Sequence, residues 1–398
     1  MEFMLSEEEK LLQWAVTEFA QKELTEKDLP TFNHVPQEIV EKMGTLGFLG
    51  IKVAEKYGGT EGTWVDVGIL VEEIAKRSMT VAHLVMRCYE MSAILGRYGT
   101  EKVKTEWLAG LAKGRKVGCI AATEPGSGSS IADIKTHALR NHDSYFITGE
   151  KGPISFGTQA DLGIVFAKTD GIAGSNAVSV FLVPLNLPGI TKASIRNMGL
   201  HGSAVASIVF DQVRIPVEYR LGEEGEGLDM NARVGLYSSL SQILSGVISV
   251  GACQESLDQA MSYSKKRFAF GRPLAQFQAV SGKIAEDLTL VEAGRWLCYR
   301  ALWLKEHNLP HTKESAMCSW WCPRIAYDAI KHALLMHGHT GYTDDFPLEG
   351  MLRDVTAFQI IGGSDHLMKL IIAYKAMGKM AVPEGLAPYM CDEESGIG

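Results

Sequence analysis

The period at which apolar residues recur changes twice along the chain, and this constrains the fold more than any single motif. From Ser6 to about Lys113 they return every three or four positions, with breaks at Pro30, Pro36 and the Lys56 to Gly62 stretch, which predicts helices. Between about Val117 and Leu221 the chain reads VGCIAAT, SYFITGE, LGIVFAK, AVSVFLVPL and ASIVFDQVRI. These short runs, rich in Val, Ile and Phe and bounded by Gly, Asn, Asp and Pro, predict strands. Past the glycine-rich turn at Gly222 to Gly227 the helical period returns over roughly 228–264, 275–306, 313–340 and 359–379. The expected architecture is α+β in several modules: an N-terminal helical domain over 1–116, a middle β-barrel or sandwich domain over 117–225 and a C-terminal four-helix bundle over 226–382. A tail over 383–398 carries breakers and acids without a period. Segregated blocks of this kind argue against interleaved βαβ units, and no GxGxxG, GxxxxGK[ST] or GxSxG motif is present.

A chain of 398 residues exceeds what one core normally serves. Its formal net charge of -8, with no long basic run, argues against nucleic acid or an anionic membrane as the main partner. The opening segment is acidic and amphipathic, unlike a signal peptide, and no apolar run reaches about 18 residues. A cytoplasmic protein acting on a small molecule is the expectation. Seven cysteines at 88, 119, 253, 298, 318, 322 and 391, without CxxC spacing, predict free thiols. His332, His337 and His339 lack a nearby Cys or carboxylate that would complete a metal site, so no metal is expected.

Several short segments suggest a ligand. Thr123-Glu124-Pro125-Gly126-Ser127-Gly128-Ser129-Ser130 follows an apolar strand and gathers hydroxyls, glycines and backbone N–H groups that a flat or anionic molecule can approach. It occurs in one order with Lys56-Tyr57-Gly58-Gly59, Gly149-Glu150-Lys151 with Ile154-Ser155, and Met198-Gly199-Leu200. Arg267-Phe268-Ala269-Phe270-Gly271 with Gln278, His337 to Tyr342 and Arg353-Asp354 follow. That order and spacing resemble the acyl-CoA dehydrogenase family from the first helix to about residue 380. The resemblance implies a flavoprotein enzyme with FAD between the β module and the C-terminal helices, an acyl-CoA substrate, an electron-transfer flavoprotein as electron acceptor and a homotetramer or dimer of dimers. By the same resemblance Ala122, Thr123, Ser129, Ser155, Ser364 and His366 would line the FAD site. Arg267, Phe270 and Gln278 would meet the FAD of a neighbouring subunit, and a guanidinium suits pyrophosphate. Pro153 stands where the family often has an aromatic, and Leu335 where it often has a Gln.

The family's catalytic base is a Glu at one of two places. In this chain the first falls in Ile360-Ile361-Gly362-Gly363-Ser364, at Gly362, and the second at Ser241. Neither residue takes a proton near neutral pH. Along 81–97, Val81, Leu84, Val85, Cys88, Met91 and Leu95 form one helical stripe, while His83, Arg87, Glu90 and Arg97 form another. In the family the position of Glu90 lies on a helix lining the acyl pocket. A relocated acid with both usual glutamates missing resembles cyclohex-1-ene-1-carboxyl-CoA dehydrogenases, whose base on this helix is an aspartate. The competing expectation for Glu90 is a half-exposed helix ion pair with Arg87. Asp365 would be an alternative acid or the cap of the following helix. Other expectations compatible with the lost base are an acyl-CoA reductase or desulfinase of the same fold, or a non-catalytic partner subunit.

Overall fold

A computed structural model describes residues 4–24, 33–169, 177–228, 239–344 and 346–381. The predicted tail and Cys391 lie outside these residues. The chain opens with α1 (Glu7–Glu23), α2 (Gln37–Thr45), α3 (Trp64–Ala75) and α4 (Met79–Tyr98), then two short helices, α5 (Glu101–Val103) and α6 (Ala109–Ala112), joined by a π-type turn. Their starts are written locally. Ser6 and Thr63 close capping boxes on α1 and α3, and the Ser78 hydroxyl accepts from Val81 N to start α4.

Eight strands follow: β1 (Gly118–Ala121), β2 (His137–Asn141), β3 (Ser144–Ile154), β4 (Leu162–Thr169), β5 (Val178–Pro184), β6 (Ile190–Ser194), β7 (Ala206–Pro216) and β8 (Arg220–Leu221). They form one sheet in the order β6-β7-β3-β2-β4-β5-β8, with β1 parallel to β4. One face buries Cys119, Tyr145, Ile147, Val165, Phe181, Phe210 and Val213 against one another. Among the described residues no α-helix contributes to that cluster, so the sheet largely covers this face itself by curling. The other face is covered by Met91, Ile94, Leu95 and Trp107 of the helical region.

The C-terminal region comprises α7 (Ser239–Lys266), a ribbon of β9 (Phe268–Ala269) and β10 (Arg272–Pro273), then α8 (Gln278–Glu306), α9 (Thr312–His337), α10 (Leu348–Ala357) and α11 (Asp365–Met377). Two sequence expectations need correction here. The helix expected over 359–379 starts only at Asp365, because Gly362 and Gly363 adopt φ of 81° and 118° and interrupt it. The chain before that break carries an unexpected helix, α10. The helix expected over 313–340 stops at His337 and continues as a 3-10 turn over Gly338–Tyr342.

N-terminal helices and bundle share one core, running from Val16 and Phe19 through Val81 and Leu84 to Ile243, Cys298 and Phe358. Helix α4 belongs to both neighbourhoods. Its first half lies in this shared core and its Met91, Ile94 and Leu95 lie under the sheet. The helix is therefore buried nearly all round, although only one stripe of its sequence is apolar. The close fit shows at Gly118 of β1, where a Cβ would stand 2.1 Å from Met91 Sδ.

Candidate active site at the junction of three domains

Three of the four residues in the second stripe of α4 lie in the interior, while Arg97, near the end of the helix, is exposed. His83 and Glu90 are wholly buried, and Arg87 is only 3% exposed. At positions i, i+4 and i+7 they lie along one face and span about 10 Å of helix. The half-exposed ion pair expected from sequence is corrected in one respect: Arg87 Nη1 does donate to Glu90 Oε2, but both side chains are buried. Because α4 is sandwiched between two cores, neither side chain of the pair lies on the protein surface.

His83 ties this face to the rest of the molecule. Its Nδ1 is 3.3 Å from the Ser203 hydroxyl, just before β7. Its ring packs on Phe156, after β3, at 5.0 Å between centroids, and on Phe358, after α10, at 5.8 Å. Residues of all three regions thus meet on one imidazole. Sequence reasoning placed His83 in the polar stripe but gave it no role, since Ser203, Phe156 and Phe358 become its neighbours only through the fold.

The stripe is not satisfied internally. His83 Nε2, Arg87 Nε and Glu90 Oε1 are buried without a hydrogen-bond partner of ordinary geometry. Buried polar atoms are normally paired, and three orphans on one helix face mark a place where a ligand or water completes the set. Burial raises the pKa of Glu90 above the ordinary carboxylate value, while the Arg87 charge and the Ser241 hydroxyl of α7 pull it down. Burial, with the Arg87 charge, holds His83 well below the usual imidazole value, so it is neutral at pH 7.

A second cluster forms at the start of the middle region. Ala122 is buried, Thr123 half-buried, and Thr123 C=O accepts from Gly152 N at 2.9 Å. Lys151, wholly buried, donates to Ala122 C=O at 3.0 Å and to Glu124 Oε1 at 2.8 Å. Glu124 also accepts from Lys135 N and Thr136 N, at 2.6 and 2.9 Å. These bonds hold its carboxyl below the ordinary range despite burial, and burial lowers Lys151 to about 8. The pair pins the loop to β3, a function the GEK motif did not reveal by itself. Ser129 is exposed at the loop tip and Ser155 half-buried beside Phe156, so the segment Ser155-Phe156 links this rim to His83.

The third component is the clasp between the middle region and α10. Asp354 Oδ1 accepts from Leu200 N at 2.6 Å, and Arg353 donates to Met198 C=O at 2.8 Å while forking onto Glu349. Gly199 fits only as glycine, since a Cβ there would sit 2.6 Å from the Arg353 backbone. Burial raises Asp354 to about 6. Gly362 and Gly363, in the turn that the resemblance matches to a catalytic segment, are buried and carry no acid. Ser364, half-buried, accepts from Leu367 N at 3.4 Å and is the cap of α11, which Asp365 was considered for; His366 is exposed.

Arg267, Phe270 and Gln278 stand elsewhere. Phe270, at the turn of the ribbon with φ 51°, is 96% exposed, and the ribbon and the 3-10 turn after it pack on α7 and α8. Arg267 and Gln278 are also exposed. The histidines counted as a metal candidate are used singly: His332 faces Asp287 at 3.1 Å, and His337 stacks between Tyr263 and Phe346. Among the described residues no group of three His, Cys, Asp or Glu is placed to hold a metal, and no helix is long and apolar enough to cross a membrane.

Family models match the whole of this arrangement: the acyl-CoA dehydrogenase N-terminal domain over residues 6–115, the middle domain over 119–213 and the C-terminal domain over 240–377. The chain belongs to the acyl-CoA dehydrogenase family. It is 32% identical to the caffeyl-CoA reductase-Etf complex subunit CarC of Acetobacterium woodii over 376 residues, 92% of this chain and 98% of that one. Butyryl-CoA dehydrogenase of Megasphaera elsdenii superposes with a TM-score of 0.89 at 30% identity, covering 95% of this chain and 100% of that one. A structure described as PigA with FAD and proline reaches 0.89 at 26% identity, covering 95% and 100%. The protein is thus an FAD-dependent oxidoreductase of the acyl-CoA dehydrogenase type.

The rim fits that cofactor. A Cβ at Gly126 would meet nothing within 4 Å and one at Gly128 only Thr123 Cγ2 at 3.9 Å, so the loop presents backbone to open space beside the Thr123 hydroxyl.

Proposed function

We propose that the protein oxidises cyclohex-1-ene-1-carboxyl-CoA to the 1,5-diene thioester, with Glu90 as the base. The observation that carries this reading is the state of Glu90: a wholly buried carboxylate held by Arg87 and the Ser241 hydroxyl of α7, on the helix face where His83 meets residues of the other two regions. The resemblance adds that the two places where the family keeps its glutamate are Gly362 and Ser241. A base on α4 would reach a carbon further from the thioester than the lost one. In an enoyl thioester that carbon is C3, whose proton is acidified through the double bond.

The steps balance as a 1,4-elimination. Glu90 takes the C3 proton, the C1=C2 bond shifts to C2=C3, and the C6 hydrogen leaves with its electron pair as C1=C6 forms. FAD, when bound, supplies the acceptor for that hydride. We assign Ala122, Thr123, Ser129, Ser155, Ser364 and His366 to the cofactor site of the same subunit, and Arg267, Phe270 and Gln278 to contact with the cofactor of a neighbour. An exposed ring at Phe270 and a free guanidinium fit a homotetramer in which each ribbon completes another subunit's site. An electron-transfer flavoprotein as acceptor is supported by similarity to a subunit of an Etf complex. That same similarity, to a subunit of a caffeyl-CoA reductase complex, favours a second reading in which the protein works in the reducing direction.

Anaerobic titration of the holoenzyme, followed by flavin absorbance, tests the proposal with cyclohex-1-ene-1-carboxyl-CoA, cyclohexanecarboxyl-CoA and butyryl-CoA. Bleaching by the cyclic enoyl thioester that vanishes in Glu90→Gln is expected. Bleaching unchanged in Glu90→Gln would remove Glu90 as the base, and no bleaching by any of the three would move the assignment to the reductive direction, a desulfinase or a partner subunit.

A further inference from the structure

We infer that Arg87 is a positioning residue for this reaction: it holds Glu90 ionised and aimed before the proton is taken, and leaves an uncompensated cation beside the substrate afterwards. The inference rests on Glu90 being the base and goes beyond it by naming what makes a buried carboxylate usable.

The geometry is the starting point. A carboxylate as buried as Glu90 would be neutral without help, since an isolated buried charge is strongly disfavoured. A neutral acid cannot accept a proton. One group supplies a compensating full charge: Arg87, one turn earlier on the same helix, bonded to Oε2. From α7 only the neutral Ser241 hydroxyl acts on it. The other titratable group on this face of α4, His83, is occupied by Ser203, Phe156 and Phe358 and is uncharged. Cys119 of β1 lies in the field of Arg87, and burial pushes its thiol up to about 12, so it too is neutral.

The pair also changes charge during the reaction. Before proton transfer Arg87 and Glu90 sum to zero. Once Glu90 has accepted the C3 proton the pair is a net cation, formed next to the electron-rich thioester at the moment negative charge develops there. In a water-excluded site such a change stabilises the transition state more than the ground state. A purely structural ion pair would not be coupled to chemistry in this way. The unpartnered Nε of Arg87 leaves one more donor on the same face.

The test uses the holoenzyme carrying Arg87→Lys, Arg87→Gln and Glu90→Gln. Two readouts are taken: the pH dependence of the bleaching rate with the cyclic enoyl thioester, and the infrared carboxylate band that Glu90→Gln deletes, titrated with pH in the absence of substrate. A cation within 4–6 Å moves a carboxyl by about 1–3 pH units. In Arg87→Gln the rising limb of the profile and the loss of the protonated band should therefore both move up by that amount. Below the wild-type midpoint bleaching should fall about 10- to 1,000-fold, with recovery at alkaline pH. Arg87→Lys, which keeps the charge, should stay near the wild type and shows that the fold tolerates change at the position. Equal pH midpoints in wild type and Arg87→Gln would overturn the inference while leaving Glu90 as base. Bleaching that survives Glu90→Gln would overturn the base reading instead.

Discussion

Two buried carboxylates, Glu124 and Glu90, each lie against a cation of their own chain, and they are built for opposite ends. Glu124 accepts from two backbone N–H groups as well as Lys151, and its carboxyl is held below the ordinary range. Glu90 is held by the Arg87 and Ser241 side chains, with no backbone N–H donor among the described residues, and its carboxyl is pushed up by burial. A carboxylate held by three donors is stabilised in its charged form and acts as a post that fixes the loop 123–130 to β3. One held by fewer donors retains proton affinity, which a base requires. On the proposed reading this difference is what would separate a structural from a reactive acid, since both are buried.

Four measurements break or sharpen this contrast. The largest effect is expected from Glu90→Gln, which should slow bleaching by about 10²- to 10⁴-fold, the usual worth of a general base, with FAD content unchanged. Glu124→Gln should do the reverse: Lys151 is left buried and under-compensated, at a cost of about 3–5 kcal/mol, seen as a lower Tm and weakened FAD retention. If Glu124→Gln instead abolished bleaching with full FAD content and unchanged Tm, the two roles would have to be exchanged.

A smaller effect should follow Ser241→Ala. Its hydroxyl lowers Glu90, so removing it should move the rising limb of the pH profile upward by less than one unit, read as a roughly threefold slower reaction below the wild-type midpoint. The smallest concerns Asp354, an intermediate case with one backbone donor and a value near 6. Its folded value exceeds the unfolded one, so the folded state binds more protons between about pH 4 and 6, and stability falls as pH rises through that window. Asp354→Asn keeps an acceptor for Leu200 N and removes the charge. It should raise Tm at pH 7 by roughly 2 °C and flatten its dependence below pH 6.

The sequence by itself determined the order of helices, strands and helices, because period is a local property and each element must hide its own apolar face. It also carried the motif of the loop 123–130 and the stripe His83, Arg87 and Glu90, whose spacing forces them onto one side of α4. Three features were decided only by the tertiary structure. Burial of the Arg87–Glu90 pair arises because α4 is enclosed by the shared helical core and the sheet, whereas the same i, i+3 pair on a surface helix would be wet and weak. The break at Gly362-Gly363 is set by left-handed backbone that period cannot register. The role of His83 depends on Ser203, Phe156 and Phe358, residues from 73 to 275 positions away, and contacts of that range are fixed by packing between domains rather than by any neighbour in the chain.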